Sequence, residues 1–185
     1  MLNNERIFNL VLLLGAFVPI SYYLTYKAFK SRVPINKLWG NVDTGLRGFY
    51  KLSMFLCLFG MLAVLFFITM SVDKDTKILN KKYSQGGINY LIQSLALIIV
   101  PSLVWMPLSY MYLIQPSLLL KIAIVVTLTI VAIGGLLLAY TIKNTYPTKM
   151  INRNILYKTM AITGANYLAF HLVFLDAIYW TYSFF

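Results

Sequence analysis

The chain has 185 residues, of which 60% are hydrophobic and only 11% charged, with a formal net charge of +11 and a mean hydropathy of +0.75. A soluble domain carries about 25% charged residues, so 16 Lys/Arg, 5 Asp/Glu and one His cannot clothe a water-facing surface on this length. Soluble-enzyme, disordered and collagenous classes are excluded, and the composition is that of an integral membrane protein in a membrane the sequence does not specify.

Charge-free runs at 7–26, 52–72, 83–120, 122–142 and 159–175 recur at bilayer spacing. About 20 apolar residues cross a ~30 Å hydrocarbon core as a helix. The expected fold is therefore an all-α bundle of five transmembrane helices near 7–28, 50–72, 87–114, 117–142 and 156–183, forming one domain over 1–185. Continuous rather than alternating apolarity excludes a β-barrel.

The first helix opens on an uncharged stretch from Ile7 to Ile20 with no small-x-small cleavage site before Tyr22, and reads as a retained signal anchor. Pro19 is a candidate kink. The loop from about 29 to 49 is the longest and holds Pro34, Trp39, Gly40, Gly45 and Gly48. Loop 73–86 is charged, with Asp73, Lys74, Asp75, Lys77, Lys81 and Lys82.

The third helix is the most irregular. Asn89 and Gln93 form a polar patch one turn apart, and Pro101 and Pro107 leave the carbonyls of Leu97 and Leu103 without their i+4 donors. Val104-Trp105-Met106-Pro107 reads either as a cavity wall or as a plain kink. Ile114-Gln115-Pro116 then forces a tight hairpin into the fourth helix, where Gly135-x-x-x-Ala139 is a packing motif. Loop 143–155 is basic, with Lys143, Lys149 and Arg153.

The fifth helix carries the two ionisable groups that lie well inside a span, His171 and Asp176. Intramembrane charges are functional candidates because burying them is costly. At roughly 100° per residue their five-residue spacing separates them by about 140°, which predicts different faces and no pairing along the helix. Ala161, Ala165, Leu172, Asp176 and Tyr179 share one stripe with Ala169 at its edge. This small-xxx-small face is expected to meet protein and not lipid. Asp176 reads as a proton, cation or polar-ligand site, or more simply as an interfacial carboxylate; His171 reads as a ligand contact or a packing histidine.

Tyr22, Tyr23, Tyr26, Tyr50, Tyr110, Tyr112, Tyr140, Tyr179, Trp180 and Tyr182 fall at span ends and are expected to form interfacial belts. The basic residues lie between the apolar runs, as topology and headgroup contacts, and form no stripe for nucleic acid. They split seven to nine between the two faces, too evenly to orient the bundle, although the early segments favour a cytoplasmic first loop. The one cysteine, Cys57, permits no intrachain disulfide and no Cys-based zinc or iron–sulfur site, and a single histidine excludes bis-His haem ligation within one chain. Phosphate loop, nucleophile elbow, zinc-protease and potassium-filter motifs are absent, so an enzyme has little to stand on.

Leu103-Val104-Trp105-Met106-Pro107 looks like the Trp-x-Pro element of the translocator protein / tryptophan-rich sensory protein family, and Asn36-Lys37-Leu38-Trp39 sits where that family has a Lys-Pro-x-Trp loop. Five spans, a long first loop and a short link between helices three and four are similar too. The chain departs from the pattern at Leu38, lacks the following Pro-Pro pair and has only three tryptophans. The resemblance implies a bundle cavity for a tetrapyrrole, sterol or similar apolar ligand, with Trp39 and Trp105 as the residues carried over. The expected function is binding or transport of a small apolar ligand, with Trp39, Trp105, Pro107, Asn89, Gln93, Asp176 and His171 as candidate contacts and the lipid bilayer as surroundings. The competing expectation is a non-catalytic subunit of a larger membrane complex; either way, self-association or partner subunits are anticipated.

Overall fold

The computed structural model describes residues 4–147 and 152–185, with side chains from Phe8 to Pro147 and from Asn154 onward. Lys149 and the side chains of Arg6 and Arg153, counted above among the basic residues, lie outside the described set. Five helices are long and apolar enough to cross a membrane: α1 (Asn4–Phe29), α2 (Thr44–Ser71), α3 (Gly87–Ile114), α4 (Leu118–Lys143) and α5. The last runs as α-helix over Asn152–Phe170, as π-helix over His171–Trp180 and as a final α-helical turn over Thr181–Phe184. The all-α, five-span architecture is the expected one. The largest boundary difference is the start of α2, which begins at Thr44 and not near Tyr50, because Asp43 Oδ1 accepts from the Gly45 amide at 2.7 Å and caps the helix.

Small residues set the packing. Ala161, Ala165 and Ala169 are all buried, so the small-residue face of α5 meets protein as expected. The tightest crossing joins α2 and α5 at Gly60 and Gly164. A Cβ on Gly60 would lie 2.7 Å from the Gly164 carbonyl oxygen, and one on Gly164 2.6 Å from that of Gly60. Neither backbone can recede without parting the helices. Gly134 packs on Leu97 and Ile98 of α3 and Gly135 on Ala169 and Leu172 of α5, which places α4 between those two helices. α1 is peripheral: 11% of its span is buried, against 44% for α4.

The proline of α3 nearest the hairpin has a defined use. Pro107 has no N–H for the Leu103 carbonyl, and that oxygen accepts from Ser21 Oγ of α1 at 2.7 Å. α3 continues through both prolines to Ile114. The orphaned acceptor becomes an interhelical hydrogen bond, one of the ways a proline is accommodated in lipid.

On the face where α1 begins, a three-stranded sheet that the sequence reading did not anticipate joins the second and fourth loops. Its strands β1 (Lys77–Ile78), β2 (Lys81–Lys82) and β3 (Thr145–Tyr146) pair antiparallel in the order β2-β1-β3. Leu79 (φ +49°) and Asn80 (φ +63°) supply the two left-handed residues of a two-residue hairpin. Ile78 and Thr145 are fully buried beneath it. Burial also pushes the Tyr83 hydroxyl up to about 12.

On the opposite face the first loop is fastened to the end of α5. A 3-10 turn over Ile35–Trp39 is followed by Gly40 at φ +51°, where a Cβ would meet the Ser183 carbonyl oxygen at 2.5 Å. Asn41 N–H donates to that oxygen at 2.7 Å, and Trp180 Nε1 donates to the Leu38 carbonyl at 2.9 Å. Tyr23, Tyr140 and Tyr182 are exposed in keeping with a belt, but Tyr50, Tyr110 and Trp180 are buried. For these three the belt expectation is corrected: they sit at span ends because the first loop and the hairpin cover the bundle there.

The Gly60–Gly164 contact yields a direct test. Gly164→Ala is expected to lower stability by about 1–3 kcal/mol, the usual cost of overpacking, measured by thermal unfolding in detergent. Gly15→Ala, which would meet nothing within 4 Å, should leave the midpoint unchanged or slightly raised.

Candidate functional site

Beneath the first loop lies a cavity of about 220 Å3. Tyr22 of α1, Tyr50 and Met54 of α2, Ser102, Trp105 and Met106 of α3, Leu128 and Val131 of α4, and Asp176 and Trp180 of α5 form its wall. Ile35, Leu38 and Trp39 of the first loop cover it. Ile35 and Met54 are exposed and mark its rim. Its aromatic rings meet in two groups, Tyr22–Trp105–Trp180 and Trp39–Tyr50. Tyr22 meets Trp105 edge-on at 5.6 Å between centroids, Trp105 meets Trp180 at 5.0 Å, and Trp39 meets Tyr50 at 5.5 Å. All three tryptophans of the chain line this one cavity. Trp105 Nε1 is buried with no acceptor among the described residues.

The polar side of the cavity is Asp176, and here the structure corrects the helical-wheel expectation. His171 and Asp176 do pair: His171 Nε2 lies 3.5 Å from Asp176 Oδ1. The reason is the π-helix that contains both, in which hydrogen bonds run i to i+5, so residues five apart stack on one face. An α-helical angle per residue gave the wrong face.

Four side chains from α2 and α5 converge on the carboxylate. Tyr167 Oη donates to Ser53 Oγ at 2.9 Å. Ser53 Oγ lies 2.8 Å from His171 Nδ1, and His171 Nε2 faces Asp176. Tyr50 Oη donates to Asp176 Oδ1 directly. Because Ser53 accepts from Tyr167, its own proton is free to go to Nδ1, which places the imidazole proton on Nε2, toward Asp176. Tyr167, Ser53 and His171 thus stand in hydrogen-bonded order, and His171 Nε2 faces Asp176 Oδ1 at ion-pair distance. Both oxygens that meet His171 from the two sides belong to buried or half-buried groups.

Ser, His and Asp in succession invite comparison with a hydrolytic triad. The geometry does not support that use. Ser53 is fully buried, is engaged by Tyr167 and does not line the cavity, so no substrate carbonyl reaches its Oγ. Among the described residues no cluster of three His, Cys, Asp or Glu side chains could hold a metal ion.

The structure brings together Trp39, Trp105 and Asp176 at the cavity, with His171 directly behind the carboxylate. It does not bring Asn89, Gln93 or Pro107 there. Asn89 and Gln93 are exposed near the start of α3, at the end of the bundle that holds the sheet. Pro107 acts one step away, through the Leu103 carbonyl. Sequence reasoning passed over Tyr50, Ser53 and Tyr167 as site residues. A usable signal existed for two of them: Tyr50, Ser53, Cys57, Gly60 and Val64 recur at three- and four-residue spacing and are all buried, so the polar members share the inward face of α2.

Comparison with protein-family models, with curated proteins and with solved structures gives no match for this chain.

The network can be tested by its coupling. Ser53→Ala strips Tyr167 Oη and His171 Nδ1 of their partner and is expected to cost about 1–3 kcal/mol, the penalty for stranding buried polar groups. Tyr167→Phe alone should cost less, and the double variant little more than Ser53→Ala. A double-mutant cycle of unfolding in detergent measures that non-additivity; strictly additive losses would mean that the two residues act independently.

Proposed function

We propose that this five-span membrane protein binds a small, largely apolar ligand in the cavity beneath its first loop. One observation carries the reading: an aromatic-walled cavity with a single carboxylate at one side lies where the first loop is fastened to the end of α5. A well-packed interior has few voids larger than a water molecule, and a dry cavity of about 150 Å3 already binds benzene. At about 220 Å3 this one exceeds that, and it falls short of the roughly 300–1,000 Å3 of drug-sized sites. Its size favours a ligand of one ring with a short side chain. A tetrapyrrole or a sterol, the ligands implied by the resemblance to the translocator protein family, would require the first loop to lift. The rim at Met54, exposed on a membrane-spanning segment, supports entry from the lipid side.

Propylbenzene is a fitting probe. It is expected to raise the unfolding midpoint of the detergent-solubilised protein by mass action and to shift the tryptophan fluorescence. Val131→Phe, which fills the cavity from α4, should abolish both responses. Undiminished binding in a folded Val131→Phe protein would move the ligand elsewhere.

A second reading, a subunit of a larger membrane assembly, draws on α1. That helix packs chiefly on α3 and leaves Leu12, Leu13, Phe17, Ile20 and Leu24 exposed. Lipid satisfies such a face as well as a partner helix does. Native mass spectrometry from mild detergent decides between them: unrelated subunits retained in fixed ratio would support the assembly, and a chain carrying lipid alone would remove it.

A further inference from the structure

The proposed ligand reading leaves the ligand's charge open, and the polar side of the cavity speaks to it. We infer that the cavity takes a small organic cation, a protonated amine on an apolar or aromatic body, with the ammonium on Asp176 and the body against the ring faces of Trp39, Trp105 and Trp180. This rests on the cavity being the binding site.

Three observations converge. First, the carboxylate is half-provided for. Tyr50 and His171 both approach Oδ1, whereas Oδ2 carries no hydrogen bond from the described residues and the side chain retains 23% exposure, on a residue that lines the cavity. Second, no Lys or Arg among the described residues pairs with Asp176; its one partner of basic type is His171. A carboxylate inside a bilayer span without a cationic partner is costly, and a ligand cation seated at Oδ2 offsets that cost. Third, the same cavity is lined by the electron-rich rings of Trp39, Trp105 and Trp180, and such rings attract cations at their faces. The chain already uses one of them so: Arg47 Cζ and Lys51 Nζ each lie 5.9 Å from the Trp39 ring centroid. Those two cations also stand near the mouth, where they would favour an anion, so the opposite charge preference is a real competitor and belongs in the test.

The test uses the full chain in lipid nanodiscs and three near-isosteric probes: phenethylamine, propylbenzene and hydrocinnamate. Every tryptophan lines the cavity, so intrinsic fluorescence titration reports this site. The expected result is that phenethylamine binds at least about tenfold more tightly than either of the others, a difference well above titration error. Asp176→Asn then lowers phenethylamine affinity about tenfold or more and leaves propylbenzene within about twofold; that retained propylbenzene binding also shows that the variant is folded. If Asp176→Asn does not fold, the probe series on the unaltered protein decides alone. Propylbenzene binding as tightly as phenethylamine would overturn the cation while leaving the cavity reading intact, as would a preference for hydrocinnamate. A phenethylamine preference that survives in folded Asp176→Asn would overturn the assignment to this carboxylate. If none of the three binds, both the cation and the cavity reading fail.

Discussion

A single carboxylate in an apolar bundle constrains much of this structure. Asp176 sits in the last span, and water is not available there to solvate it as at a surface, so its hydrogen-bond demand must be met by protein groups. The fold meets it on one oxygen only. Tyr50 reaches it from α2; His171 reaches it from the same helix, itself oriented by Ser53 and Tyr167. Each of these requires α2 and α5 to run close together, and the Gly60–Gly164 contact, with no side chain on either partner, sets that distance. The tightest backbone approach and the polar network are therefore one construction: the glycines bring the helices together, and the donors then fall within reach of the acid.

The π-helix belongs to the same construction. A ten-residue run of i to i+5 bonding is unusual, since such bonding occurs mostly as single-turn bulges within α-helices, frequently at functional sites. Here it turns a five-residue separation into a shared face, joining His171 to Asp176 and keeping Trp180 in line to roof the cavity. The two groups of edge-on rings, Tyr22–Trp105–Trp180 and Trp39–Tyr50, then give rigidity without further polar groups. A cavity survives because stiff, wide side chains span it and cannot collapse into it.

Most of the architecture was legible in the sequence because it follows from hydrophobicity at bilayer length: the five spans, the tight link at Gln115-Pro116 and the protein-facing alanines of α5. The pieces of the site were legible one at a time. Asp176 and His171 stood out as charges inside a span, and Trp39 and Trp105 as rare large rings. Their relation was not, because it depends on a local change of helical pitch that no residue between 171 and 180 announces. Tyr50, Tyr110 and Trp180 were read as belt residues, since a tyrosine or tryptophan at a span end looks the same whether it faces headgroups or a covering loop. Ser53 carried no signal of its own beyond its place on a buried stripe. The small sheet was missed because its turn, Leu79-Asn80, lacks the glycine that usually marks two left-handed residues in succession.

The fastening of the first loop to the end of α5 has a consequence for how the protein is made. Leu38 and Trp180 are joined by a hydrogen bond across 142 residues of sequence, and Asn41 and Ser183 by another. Synthesis runs from the first helix to the last, so four spans enter the bilayer before either bond can form. Through that interval the first loop is held by its packing on α3, where Val33 and Leu38 meet Met106 and Tyr110, and the cavity lacks Asp176 and Trp180. The binding site is thus completed only when α5 inserts, since that helix brings Asp176 and Trp180 to a wall whose other residues precede it in the chain.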